Sequence, residues 1–456
     1  MLRGFFVVYT FSNVGYICSC RAYQKKVLTV GQKYRVKTVV LSNGERLPML
    51  VDACGQPVFE PTVYSLTELR VRNRATNTID NTLRALLVFC LFLDLRKIDL
   101  KKRLEAAQLL SLGEVEDLVR LCRLPVERLT LMLDDTRTTL PVAPAVSLEK
   151  HRRRLRAESP TEIVPASAAT RLRDIRNYVG WLVANRSSRP GADDAYRSAL
   201  ESAREFVVGA IEARLPSGDS RGSLGHREGL DPEVVARMLQ VIDPRSTENP
   251  WRDQHSQYRN ALIIRWLYWL GLRRGELLGI RVSDIDFRKA TVVVARRADD
   301  PSDPRRYQPT VKTRAREIPL SPGLLDETYA YVMNHRAVQP GARKHDFLFV
   351  SEDNGAPLSI SSLTKIFLIL RTKCPDLPRD LSAHVLRHTW NDRYSETMDK
   401  RQVAEESEKK MRSYLMGWSE TSGTAAIYTR RHIRKRAQEA SLAMQERLFR
   451  QEKERE

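Results

Sequence analysis

Three short stretches in the C-terminal half carry side chains suited to holding and attacking a phosphate. The first is Gly271-Leu272-Arg273-Arg274-Gly275-Glu276-Leu277-Leu278, an arginine at the exit of an apolar, helix-like run. A guanidinium in such a setting requires a carboxylate partner or an anionic ligand. Glu276 is at hand as the partner, so a structural Arg-Glu pair stands beside an anion site as a reading. The second is His384-Val385-Leu386-Arg387-His388, with two histidines at i and i+4 on one helix face. That spacing suits zinc, but a zincin carries glutamate where this chain has Val385, and no Cys or Asp cluster lies nearby to complete a coordination shell. Core histidines, or a phosphate-directed His and Arg, remain. The third is Leu415-Met416-Gly417-Trp418, then a Ser/Gly/Thr-rich loop, then Ala425-Ala426-Ile427-Tyr428-Thr429-Arg430-Arg431. A tyrosine taken alone is an ordinary half-buried side chain; after a polar loop and beside arginines it reads as accessible and electropositive.

Taken in chain order, these stretches resemble the signature of the tyrosine recombinase (phage integrase) family: Arg, Lys, His-x-x-Arg, His or Trp, then Tyr. The likeness covers roughly residues 229–450. It implies Arg273 as the first arginine, Lys312 in Thr310-Val311-Lys312-Thr313 as the lysine, and His384 and Arg387 as the His-x-x-Arg. Trp418 takes the His/Trp position and Tyr428 the nucleophile's, while His388 matches the frequent second histidine of the motif. The resemblance implies a site-specific DNA recombinase or integrase that cuts and rejoins duplex DNA through a 3′-phosphotyrosyl intermediate. It implies no cofactor, neither metal nor ATP, and a homotetramer on two DNA sites, with accessory DNA-bending or directionality factors as further partners.

The chemistry of the side chains agrees with those roles. Planar guanidinium groups match the non-bridging oxygens of a phosphate and offset charge building in a pentavalent transition state. A tyrosine oxygen can attack phosphorus and hold the strand covalently. Lys312 can protonate the departing 5′-oxygen, while His384 handles the tyrosine proton or orients the phosphate. Trp418 offers an indole N–H and a packing surface. A catalytically silent DNA-binding protein of the same fold and a type IB topoisomerase-like enzyme are the competing readings. The complete ordered set speaks against the first, and a requirement for two defined sites would separate the second.

The elements expected to position these residues are mainly α with a small β-sheet: a helical core-binding domain plus a mixed α/β catalytic domain, after a β-rich N-terminal segment. Residues 1–60 are β-flavoured, with alternation over Tyr34 to Leu41 and an Asn43-Gly44 turn. Their role is not legible. Residues 61–215 form the helical region, with apolar periodicity from about Thr78 to Lys97, from Leu112 to Cys122, and again after Thr170 as a cap. Prolines and the basic run His151 to Arg156 mark a linker or insertion near 125–166. The Gly/Ser-rich stretch 216–229 reads as a flexible linker, and 230–456 as the catalytic domain with a basic C-terminal helix. Within it, a nearly all-apolar helix from Tyr258 to about Leu272 is central to a core, and two strand-like runs, Thr291 to Arg296 and Arg316 to Leu320, flank Lys312. The loop between the runs looks enlarged, and Asp399 to Lys410 reads as a charged insertion.

The formal charge of +20 and a pI near 9.8 point to a polyanionic partner, nucleic acid ahead of an anionic membrane. A hydrophobic fraction of 42% with mean hydropathy −0.41 excludes a membrane-embedded or wholly disordered chain. The six cysteines form no CxxC pair and read as reduced, which places the protein in the cytoplasm. The apolar residues 4–20 are interrupted by Ser12, Asn13 and Ser19, and read as β-rich or as lying before the true start rather than as a targeting segment.

Overall fold

A computed structural model describes residues 33–135, 162–216 except 192, 229–419, and 437–447 except 439. Tyr428, the apolar residues 4–20, the basic run 151–156 and residues 217–228 of the Gly/Ser-rich stretch lie outside the described residues.

The described residues are mainly helical, with one two-stranded and one three-stranded sheet. It opens on an antiparallel hairpin, β1 (Tyr34–Val40) and β2 (Arg46–Asp52), turned at Gly44 with φ 87 as the Asn-Gly pair predicts. Helix α1 (Phe59–Tyr64) continues as a π-helical turn through Ser65–Arg70. Then follow α2 (Thr76–Leu95), α3 (Leu100–Glu105), α4 (Leu112–Cys122), α5 (Val126–Asp135), α6 (Pro165–Ser187) and α7 (Asp194–Glu212). Helix α2 is apolar on nearly every side, and Leu83, Leu86, Val88, Phe89 and Phe92 are wrapped by the hairpin, α4, α5 and α6. The stretch expected to be irregular from 125 begins instead with α5, whose Leu129 and Leu133 join this core. Nor is Thr170 a cap: α6 starts at Pro165, in the first helical position, where proline's fixed φ costs no hydrogen bond.

The C-terminal half has its own core around α9 (Gln254–Leu270), preceded by α8 (Pro232–Ile242). Ile263, Ile264, Trp266 and Leu267 are wholly buried, so this helix is the central post its composition predicts. Short helix α10 (Arg274–Gly279) follows directly, then the antiparallel sheet of β3 (Ile285–Asp286), β4 (Thr291–Val294) and β5 (Arg316–Pro319). Further helices are α11 (Pro322–Ala330), continued by a π-helical turn through Tyr331–Arg336, α12 (Ile360–Lys373), α13 (Ala383–Lys400) and α14 (Glu405–Met416). The charged stretch after Asp399 is no surface insertion throughout. Glu408 and Arg412 of α14 are buried together against Ser395 of α13. Near the C-terminal end of the described residues, Leu442 and Met444 are exposed.

The N-terminal hairpin is fastened to the long loop between β4 and β5. Arg46 donates to the carbonyl oxygens of Asp303 (2.6 Å) and Arg305 (3.1 Å), and Arg306 donates back to the carbonyl of Thr38 (2.9 Å). Among the described residues no helix is long and apolar enough to cross a membrane.

Candidate active site

Helix α9 stops at Leu270 because Gly271 takes a left-handed φ of 62. A Cβ at that position would lie 2.8 Å from the ring of Trp390, so only glycine lets the chain turn there. Leu272 is buried, and Arg273, in extended backbone, starts α10 with its backbone N–H donating to Glu276 Oε2 (3.0 Å). From the other side comes α13, whose first turn is capped by Ser382 Oγ. His384 and Arg387 are three residues apart and share one helix face. The Arg387 side chain is only 2% exposed, and its Nη1 donates to the carbonyl of Gly271 at 2.5 Å. One backbone group thus ties the approach to Arg273 to the other signature arginine.

Arg273, His384 and Arg387 line one pocket of about 440 Å³, together with Arg274, Arg371 and Ser382. His384 is exposed toward solvent and His388 half-buried behind it, with ring centroids 4.4 Å apart in an edge-to-face arrangement. Arg371 and Thr364 are pocket residues that the motif search missed. They stand seven apart on α12 and share a face with Phe367, which lines the same pocket, and that i, i+3, i+7 spacing was the available signal.

Under the pocket lies Glu276, 1% exposed, and it does more than pair with Arg273. The Arg273 Nη1 contact is the looser one at 3.4 Å; Arg316 Nη2 donates at 2.9 Å, Thr313 Oγ1 at 2.7 Å, and Arg387 Nη1 stands 3.9 Å away. Burial alone would raise this carboxyl's pKa, but Arg316 and then Arg387 outweigh it and hold the value below the usual glutamate range. Arg316 in turn donates to the carbonyl of Leu415 (2.6 Å), linking β5 to the end of α14. The inward alternation of Arg316 with Ile318 on β5 is what buries it.

Trp418 follows Gly417, which ends α14 with φ 65 and whose carbonyl accepts from the Arg314 N–H at 2.9 Å. The indole is buried against Met416 and Trp390, and the Arg387 guanidinium sits over its ring at 5.4 Å. Trp418 therefore gives Arg387 a second contact besides the Gly271 carbonyl.

Lys312 is not a lining residue of this pocket. It is exposed, four residues before β5, and lines a separate cleft of about 420 Å³ with Asn77, Arg296, Arg297 and Thr310. The two sites adjoin through the neighbouring residue, because Thr313 is bonded to Glu276. Thus Arg273, His384, Arg387 and Trp418 come together, Lys312 stands one loop away, and Tyr428 falls outside the described residues.

The family model described as "Phage integrase family" matches residues 228–434. Tyrosine recombinase XerD of Halalkalibacterium halodurans is 27% identical over 245 residues, 54% of this chain and 72% of that protein. Tyrosine recombinase XerA of Thermococcus kodakarensis is 26% identical over 219 residues, 47% of this chain and 63% of its own length. Among solved structures, the crystal structure of XerA recombinase aligns with 64% of this chain and 88% of that one at 17% identity. Its TM-score of 0.34 is too low for the superposition to add to the family match.

Proposed function

We propose that this chain, whose residues 228–434 match the phage integrase family model, is a tyrosine recombinase that cuts and rejoins duplex DNA at two defined sites. The observation that carries the reading is the convergence of Arg273, His384 and Arg387 on one pocket. Two guanidinium groups held by Glu276 and by the Gly271 carbonyl line the same pocket, and their planar geometry matches the non-bridging oxygens of one scissile phosphate. Because Arg387 is fixed by the Trp418 ring as well, it is in place before the transition state forms, which is where electrostatic stabilisation gains most.

In the step we infer, the Tyr428 oxygen bonds to phosphorus as the bond to the 5′-oxygen breaks. His384 takes the tyrosine proton or orients the phosphate, and Lys312 supplies the proton of the leaving 5′-hydroxyl. The 3′-phosphotyrosyl link retains the energy of the phosphodiester, so the reverse attack by a 5′-hydroxyl from a second duplex needs neither nucleotide nor metal. Exchange between two duplexes calls for four protomers, so we expect assembly into a homotetramer on DNA, with DNA-bending or directionality factors as further partners. We place the reaction in the cytoplasm.

The test is a plasmid carrying two copies of DNA from the protein's own genomic neighbourhood, incubated with protein in EDTA and without ATP. Strand exchange between the copies, absent with Tyr428→Phe, is the expected result. Relaxation of supercoils on any plasmid without exchange would mean a topoisomerase, and binding without either product a silent DNA-binding protein.

A further inference from the structure

The loop between β4 and β5 carries Lys312 and is gripped by the N-terminal hairpin. Arg46, 2% exposed, spends its guanidinium on the carbonyl oxygens of Gly44 (2.6 Å), Asp300 (3.2 Å), Asp303 (2.6 Å) and Arg305 (3.1 Å). A cation so fully taken up by backbone acceptors is a clamp on the loop and is closed to DNA phosphates. Its own backbone N–H donates to Asp299 Oδ1 (3.2 Å), while Asp299 Oδ2 pairs with Arg70 at 2.7 Å. Asp299 holds both from a left-handed backbone, with φ 49. On the hairpin side a Cβ at Gly44 would lie 2.6 Å from the Asp299 carbonyl and from Pro301, so the two backbones meet as closely as glycine allows.

Nearer Lys312, Asn77 at the start of α2 donates to Thr310 Oγ1 (2.7 Å), and Thr313 donates to the buried Glu276 (2.7 Å). Lys312 thus sits between one anchor in the N-terminal half and one under the phosphate pocket. Its four-carbon stem can deliver a proton only from a correctly placed backbone, and a misplacement of ~1 Å can cost ~10²-fold in rate.

We propose that the β1–β2 hairpin positions Lys312, with Arg46 and Asp299 as positioning residues that hold the β4–β5 loop where the lysine can reach the leaving 5′-oxygen. This rests on the reading of Lys312 as the general acid. In that step Tyr428 Oη bonds to phosphorus and gives its proton to His384, the P–O5′ bond breaks, and O5′ takes a proton from the Lys312 ammonium. A 5′-bridging sulfur in place of that oxygen leaves as a thiolate and takes no proton.

The experiment measures single-turnover cleavage, at saturating full-length protein, of a duplex spanning the cleavage site, with either oxygen or sulfur at the 5′-bridging position. The proteins are wild type, Lys312→Ala, Arg46→Ala, Asp299→Ala and Gly44→Ala, each checked for a cooperative melt. Asp299→Ala removes one part-exposed acceptor and so guards against an Arg46 variant that does not fold. Lys312→Ala should lose roughly 10²- to 10⁴-fold on oxygen and recover on sulfur. The Arg46, Asp299 and Gly44 variants should lose ~10-fold or more on oxygen and likewise recover on sulfur. Equal losses on both substrates, or wild-type rates on oxygen, would overturn the positioning role. Failure of sulfur to rescue Lys312→Ala would overturn the general-acid reading itself, a result separate from the first.

Discussion

At the scale of single residues, the structure turns on a buried carboxylate. Glu276 holds Arg316 and Thr313 directly, and Arg387 lies near enough to feel its charge. Removing that charge while keeping the shape strands buried cations, so Glu276→Gln should destabilise the protein by about 3 kcal/mol in denaturant unfolding. The pH dependence has a definite sign. The folded carboxyl lies below its ordinary value of 4.5, so its contribution is complete above that pH and is lost as pH falls through the lowered value. The gap between wild type and Glu276→Gln should therefore narrow on acidification below pH 4.5; a gap independent of pH would contradict this role. The sequence named Glu276 as a partner of Arg273 and missed its stronger bond to Arg316, because that partner arrives on a strand forty residues later. Periodicity seldom shows which distant side chain meets which.

Among the elements, the turn at Gly271 decides where both signature arginines stand, since its backbone leads to Arg273 and its carbonyl receives Arg387. Gly271→Ala would put a Cβ against Trp390 in a left-handed conformation that costs roughly 1–2 kcal/mol before any clash. We expect a lowered melting temperature and a cleavage rate at saturating DNA reduced well beyond the fraction unfolded. A rate that merely tracks the folded fraction would mean the turn does not position the arginines. Helix α9 was legible because its apolar run left no exposed face. Helix α5 was not, because Pro125 and the prolines beyond Asp135 masked one short amphipathic stretch. The start of α6 was misplaced for a related reason: proline at its first position marks that end more surely than a threonine inside it.

For the whole molecule, the grouping of Arg273, His384, Arg387 and Trp418 was legible because each lies in a short motif, whereas the docking of β1–β2 on the β4–β5 loop joins segments with no shared pattern. Charge acts at this scale too. With a formal charge of +20, DNA affinity should fall roughly 10³- to 10⁵-fold between ~50 and ~200 mM salt, as for a protein contacting several phosphates. A filter-binding series checks it, and a flat series would mean the charge faces elsewhere. The central claim is that these parts serve a covalent protein–DNA intermediate, and trapping tests it most directly. Wild type and Tyr428→Phe are incubated in EDTA with nicked duplexes from the genomic neighbourhood, cut so that the 5′ fragment escapes, and then denatured. A DNA adduct of the wild-type protein that survives denaturation and is absent from the Phe variant is the predicted result. Tight, salt-sensitive binding with no adduct, or an adduct that persists without the tyrosine, would contradict it.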